Sequence, residues 1–378
     1  MGDADVIVIG TGGIGSAATY QLARRGARVI GLDRFPGGHA HGSSHGETRI
    51  IRKAYFEHPD YVPLLERAYA LWAEAEAEAG ETLFRRVGLV ESGPPDGVLV
   101  AGVRAAARDH ALPLDNLTGE ETAARWPFRL PDSAEAVFEA DAGFLFVERS
   151  VCAYLRLAQT HGAELVTGAS VTGWRPDGDG FVVETTDRSY RADRLVITAG
   201  AWARDLLADL AIPLLVRRKH LHWYACDDPA MTADADCPCF FFQTADGLFY
   251  GFPAVEGGGV KVAEHTGGVD IADPLTDDKA VEPDDRARVE TFIRACLPTV
   301  TTNPVDHAVC YYTVSPDEHF IVDRHPDHPG VVFAAGLSGH GYKFAPVLGE
   351  VLADLALAGR TAQPIEFLGL DRPGLAVA

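Results

Sequence analysis

The chain has 378 residues, 47% of them hydrophobic and 23% charged, a composition of the soluble globular class with length enough for two domains. Its 54 acids against 33 lysines and arginines give a formal charge of −21, which excludes bulk electrostatic attraction to nucleic acid or to an anionic membrane as the basis of function. It leaves room for a small cationic pocket that takes an anion. No run of 18 apolar residues is present, "MGDADVIVIG" carries acids where a signal peptide carries basic residues, and the six cysteines are scattered. The expectation is a cytoplasmic enzyme with no membrane or nucleic-acid partner.

The first elements read as strand, helix and strand: "DVIVIG", "TGGIGSAATYQLARRG" with Gly26 as the helix stop, and "ARVIGLD". Gly10-Thr11-Gly12-Gly13-Ile14-Gly15 is G-x-G-x-x-G between strand and helix, and Asp33 ends the next strand. Such glycines permit a tight turn and the close approach of a pyrophosphate, whose charge the helix N-terminus stabilises. Asp33 is expected to accept hydrogen bonds from ribose hydroxyls. The motif alone does not separate NAD from FAD. Further strand–helix–strand units would complete a nicotinamide-binding sheet, but the chain runs instead into the loop "FPGGHAHGSSHGETRIIRKAY", which could wrap a larger cofactor. His39 and His41 in that loop lack carboxylate or thiolate company, so no metal is expected.

Helices are expected in "YVPLLERAYALWAEAEAEAG" and "GVLVAGVRAAARDHA", and Thr118-x-x-Glu121 reads as a capping box opening another. A helix and strand follow from "RSVCAYLRLAQTHG", then a hairpin in "FVVETTDRSYRADRLVITAG" and a short helix in "AWARDLLADL". Between about 211 and 314 the pattern changes to long strands joined by turns such as "ADG" and "EGGG", with one helix in "EPDDRARVETFIRACLP". The fold class is therefore α/β: a discontinuous Rossmann-like dinucleotide-binding domain (1–80, 148–210 and 315–378) with an inserted, mostly antiparallel β substrate domain (81–147 and 211–314). Near the carboxyl end, "GLSGHGYKF" places three glycines, a histidine and a lysine between an apolar strand and a helix. Bare backbone followed by a helix start and a cation suggests a flat, electron-rich ligand pressed against the turn.

The stretches "VIVIGTGGIGSAATYQLA", "HGSSHGETRIIRKAY", "FYGFP", "VKVAEH", "VCYYTVSPDEHFIVD" and "GLSGHGYKFAPVLGE" span nearly the whole chain. In them it resembles the family of flavin-dependent amine oxidases that includes monomeric sarcosine oxidase and N-methyl-L-tryptophan oxidase. The resemblance implies FAD bound covalently through a thioether to Cys310, which read on its own would be a structural cysteine. It implies that Lys261, with His265 four residues on, activates oxygen, since a buried cation stabilises the negative charge of reduced oxygen. His45 and Arg49 would lie near the flavin ring. Arg52 and Lys343 would hold the substrate carboxylate, the first as a fork and the second as a point charge, and Tyr250 would be a wall of the substrate pocket. Read as residues alone, Arg49 and Arg52 could equally pair with Glu47 or Glu57. Further cofactor contacts are expected from Gly13, Ile14, Arg34, Ser43, Ser44, Val171, Ala199, Gly200, Gly336, Gly339, His340 and Gly341.

The activity implied is oxidation of a secondary amino acid, such as sarcosine or N-methyl-L-tryptophan. The imine hydrolyses to formaldehyde and amino acid, and O2 is reduced to H2O2. The partners are thus a small amine and oxygen, and a monomer is expected. Departures from the family pattern, including the triple phenylalanine Phe240 to Phe242 expected near the pocket wall, leave the substrate open. A cyclic imino-acid oxidase of the pipecolate, proline or piperideine-carboxylate type, and an amine dehydrogenase with another acceptor, are the alternatives.

Overall fold

The computed structural model describes residues 2–375. Five parallel strands form the centre of one sheet, in the order Glu164–Thr167, Val29–Asp33, Ala4–Ile9, Ser189–Ile197, Val331–Ala335. The β-branched runs of the strands inside the edge strand Glu164–Thr167 are buried on both faces, as a parallel sheet covered by helices requires. Antiparallel strands Gly180–Thr185 and Val171–Asp177 extend it at Ser189–Ile197, and Ile321–Arg324 extends it at Val331–Ala335. The expected hairpin of residues 180–197 is thereby present. Helix Gly13–Ala23 is buried along its whole length against helices Val147–Thr160 and Ala345–Ala358. Close approach explains Gly349 in the last of these, because a Cβ there would lie 2.7 Å from the Ala17 backbone.

A second, mostly antiparallel sheet joins strands from two stretches of the chain. Leu89–Gly93, Glu135–Glu139 and Asp115–Leu117 pair with Cys239–Thr244, Gly247–Phe252, Val260–Glu264, Leu215–Tyr224, Pro304–Val314 and Val269–Ile271. The contact between the stretches is parallel, Leu89–Gly93 alongside Cys239–Thr244. Three short strands, Thr48–Ile51, Gly143–Phe146 and Phe84–Arg85, make a third sheet.

Helices Tyr61–Ala79, Val98–Asp109 and Pro283–Cys296 stand where the periodicity puts them, and Thr118 and Glu121 form the capping box reciprocally. "AWARDLLADL" departs from the expected single helix. It is a 3-10 turn, one helical turn at Ala203–Leu206 and another 3-10 turn, with Ala211 left-handed at its end. The triple phenylalanine is also corrected. Strand alternation sends only Phe241 towards the pocket, while Phe240 and Phe242 pack into the opposite core with Phe128 and Phe292. No helix among the described residues is long and apolar enough to cross a membrane.

Candidate active site

A cleft with an empty volume of about 1410 Å³, the part open to solvent included, runs along the carboxyl ends of the parallel strands. This is where open parallel sheets bind ligands, because the helix N-termini and bare loops gather there. Gly10–Ile14, Asp33 and Arg34, Ser43 and Ser44, Val171, Thr198–Gly200 and Gly336 follow the strands or flank their ends, and all line it. Two glycines of the fingerprint serve the protein itself. Gly10 has φ +87° and a Cβ there would meet the Thr198 carbonyl at 2.7 Å; one on Gly15 would sit 1.8 Å from the Gly10 carbonyl. Gly12 is different. Its Cβ would meet only Ser44 Oγ, at 3.7 Å, so the bare position faces the cleft and serves what lies in it.

Asp33 accepts the Thr11 N–H at 2.7 Å and the Phe35 N–H at 2.9 Å, which holds the carboxylate at the cleft wall. Ser44 Oγ accepts the Gly13 N–H at 3.0 Å. The acid, the bare glycine and the helix start fit the adenosine and pyrophosphate of a dinucleotide.

A second cavity, about 480 Å³ by the same measure, shares Arg49, Tyr312, Gly339 and Tyr342 with the cleft. Its other walls include Arg52, Glu57, Phe241, Tyr250, His265, His340 and Lys343. The predicted substrate residues Arg52, Lys343 and Tyr250 are thus brought together, with His265, although they come from distant parts of the chain. Burial, with Arg52 beside it, pulls the Lys343 ammonium down to about 7, Glu57 and Glu91 opposing. Lys343 donates to the His340 carbonyl at 2.8 Å and to the Tyr55 hydroxyl at 3.3 Å. His340 Nε2 faces the Glu318 carbonyl at 3.0 Å and so carries the proton, which leaves Nδ1 to accept from Tyr55 at 2.6 Å. Burial holds His340 at about 4 and His265 at about 3, so both are neutral near pH 7.

Arg52 lies among the rings of Tyr55, Phe56 and Phe241 and donates through Nη2 to both oxygens of Glu57, at 2.8 and 2.6 Å. The pairing with Glu57 therefore coexists with a place in the cavity wall. Arg49 donates to the Thr48 and Ser43 carbonyls and meets both cavities. Glu47 instead accepts the Trp223 indole N–H at 3.0 Å.

Four predicted residues line neither cavity. Gly15 lies behind the fingerprint turn. Cys310 is buried one residue before Tyr311, Tyr312 and Thr313, which line the cleft. His45 is buried, its Nε2 has no hydrogen-bond partner among the described residues, and burial with Arg49 and Lys261 nearby takes its pKa down to about 3. Lys261 donates to the carbonyls of Gly46, at 2.5 Å, and Thr48, at 2.9 Å, from below the loop. Burial, then Arg49, holds its proton affinity well below that of an ordinary lysine.

Several lining residues escaped the sequence reading. Tyr312 shares a strand face with Cys310 and was accessible by alternation. Tyr342 and Trp202 carried no comparable signal, and Glu57 entered the sequence reading only as an ion-pair partner for Arg49 or Arg52.

A Rossmann-like sheet with a dinucleotide cleft opening into a cationic pocket beneath a second β layer defines a nucleotide-dependent oxidoreductase. A family model described as FAD dependent oxidoreductase (DAO) matches residues 5–355, and the chain belongs to that family. It is 40% identical over 376 residues to monomeric sarcosine oxidase of Bacillus sp. (strain B-0618), covering 98% of this chain and 96% of the relative. It is 39% identical over 361 residues to N-methyl-L-tryptophan oxidase of Salmonella dublin, covering 95% of each. Among solved structures it resembles the open form of NikD, described as an unusual amino acid oxidase essential for nikkomycin biosynthesis. That match has a TM-score of 0.86 and 28% identity over 97% of both chains.

Proposed function

We propose that this FAD-dependent enzyme oxidises a secondary amino acid of the N-methyl type at the carbon next to nitrogen, with O2 as acceptor. The single observation that carries the reading is the second cavity. It sets two cationic side chains, Arg52 and Lys343, among aromatic rings and shares four residues with the dinucleotide cleft. Arg52 and Lys343 take the carboxylate, while Phe241, Tyr250 and Tyr312 exclude water from the amine. Bound FAD supplies the two-electron acceptor and the reduction of oxygen to hydrogen peroxide. The fingerprint glycines, Asp33, Arg34, Ser43 and Ser44, Val171, Ala199, Gly200 and the 336–341 turn would hold it, and the Cys310 sulfur would carry it as a thioether. Lys261 keeps a cation beneath the His45–Thr48 loop for the charge that develops on oxygen. The product imine hydrolyses, giving formaldehyde from an N-methyl substrate.

The aromatic wall of Phe241, Tyr250 and Tyr312 favours a second reading, oxidation of a cyclic imino acid. Stopped-flow bleaching of the flavin by sarcosine, N-methyltryptophan, pipecolate and proline, with formaldehyde and peroxide assayed, separates the two. Peroxide without formaldehyde selects the cyclic substrate, and no bleaching by any secondary amino acid rejects both.

A further inference from the structure

Glu91 sits in the middle of strand Leu89–Gly93, every residue of which is buried, with Val137 opposite on one side and Phe241 on the other. It is fully buried, and neither carboxyl oxygen has a hydrogen-bond partner among the described residues. A carboxylate so placed is costly unless donors reach it. The nearest cation is Arg52, whose Nε lies 3.3 Å from Glu91 Oε1 but is not aligned to donate, so that Nε is also without a partner. Arg52 gives its side-chain hydrogen bonds to Glu57. An acid and an arginine thus face each other unbonded, directly behind the wall of the proposed carboxylate site.

We propose that Glu91 is a positioning residue for the substrate carboxylate: as a neutral acid it leaves Arg52 and Lys343 one positive charge in excess of Glu57, and as an anion it cancels that excess. The inference rests on the carboxylate reading above. The other groups facing Arg52 and Glu91 are common to both states. Burial raises the Glu139 carboxyl on the adjacent strand, but the Lys53 and Ala54 N–H groups that it accepts, with Arg52 and Lys53, oppose this and hold it as the anion, and His340 and His265 are neutral. Tyr55 stays protonated because burial pushes its hydroxyl well above the usual range. Burial pushes the Glu91 carboxyl up to about 8; Glu139 and Glu57 add to this, and Arg52 and Lys343 oppose it. Carboxylate binding should therefore weaken at alkaline pH through two proton losses, from Lys343 and from Glu91.

The test is titration of purified holoenzyme with benzoate, followed by flavin absorbance, between pH 6 and pH 10, with benzamide as the uncharged control. For each proton whose loss abolishes binding, Kd rises about tenfold per pH unit. In the native enzyme the benzoate slope should approach two protons; in Glu91→Gln it should fall to one, and Glu91→Asp should restore two. Should Glu91→Gln fail to fold, Lys343→Arg serves, because it keeps the charge without a proton that titrates in this range: one proton must remain linked to benzoate binding. An unchanged slope in Glu91→Gln, or none in Lys343→Arg, overturns the proposal while leaving the carboxylate site intact. Failure of the native enzyme to bind benzoate in preference to benzamide at any pH overturns the carboxylate site itself.

Discussion

Lys261 and Thr48 are joined twice, the buried ammonium donating to the Thr48 carbonyl at 2.9 Å and to its hydroxyl at 3.3 Å. The same nitrogen reaches the Gly46 carbonyl, so a strand of the second sheet holds the loop that leads out of the first. Glu148 holds that loop from the other side, accepting the Gly46 N–H at 2.6 Å. The Lys261 nitrogen is therefore fixed in place before any ligand arrives, which is the condition for electrostatic stabilisation without reorganisation when it carries its proton.

Lys261→Met should slow reoxidation of the reduced enzyme by oxygen about a hundredfold, in line with the loss of one preorganised charge. Reduction by substrate should fall much less. Anaerobic reduction and oxygen mixing in stopped flow give both rates; equal losses would show that the lysine only anchors the loop.

In the proposed carboxylate site, Glu57 and the substrate carboxylate would compete for the Arg52 guanidinium. Glu57→Gln should tighten carboxylate binding, whereas Arg52→Met should lower kcat/KM by about 10² or more, the worth of a charge-assisted pair. Steady-state kinetics against the best amine substrate measures both. A weaker KM in Glu57→Gln would mean that the acid positions Arg52 and does not compete for it.

Cys310→Ala should yield protein whose yellow colour passes to the supernatant on acid precipitation, while the native enzyme keeps its flavin in the pellet. Native protein that also releases its colour would remove the thioether.

Gly12 and Gly15 should fail differently. Gly15→Ala places a methyl 1.8 Å from the Gly10 carbonyl and should prevent folding, whereas Gly12→Ala meets nothing closer than 3.7 Å. Gly12→Ala should fold and lose FAD occupancy, read from the ratio of visible to ultraviolet absorbance. Full occupancy in Gly12→Ala would place the pyrophosphate elsewhere.

Glu91 also has a stability signature. Its folded value, about 8, lies above the ordinary 4.5, so the folded chain keeps a proton that the unfolded chain gives up. Stability is then lost as pH rises from about 4.5 to 8, and Glu91→Gln removes that loss. The variant should melt a few degrees above the native protein at pH 8 and show a smaller gain at pH 5. Differential scanning calorimetry at both values checks the sign.

Much of the dinucleotide half was legible because its determinants are local. Gly10, Gly12, Gly15 and Asp33 act through a turn, a helix start and a strand end, each written within a few residues of itself. The strand periods that predicted the 180–197 hairpin and the Pro283–Cys296 helix are local in the same way. The triple phenylalanine misled because three adjacent side chains of a strand cannot share a face, and only the sheet says which face is which.

Spacing and composition by themselves determined a dinucleotide turn, a β-rich second layer and a strongly acidic chain. Tertiary structure decided that Glu57 joins Arg52 and Lys343 in the wall of one small cavity and that Glu91 lies behind Arg52. Their charges acquire meaning only there, since electrostatic energy depends on separation and on the exclusion of water, and neither is written in the order of residues along the chain.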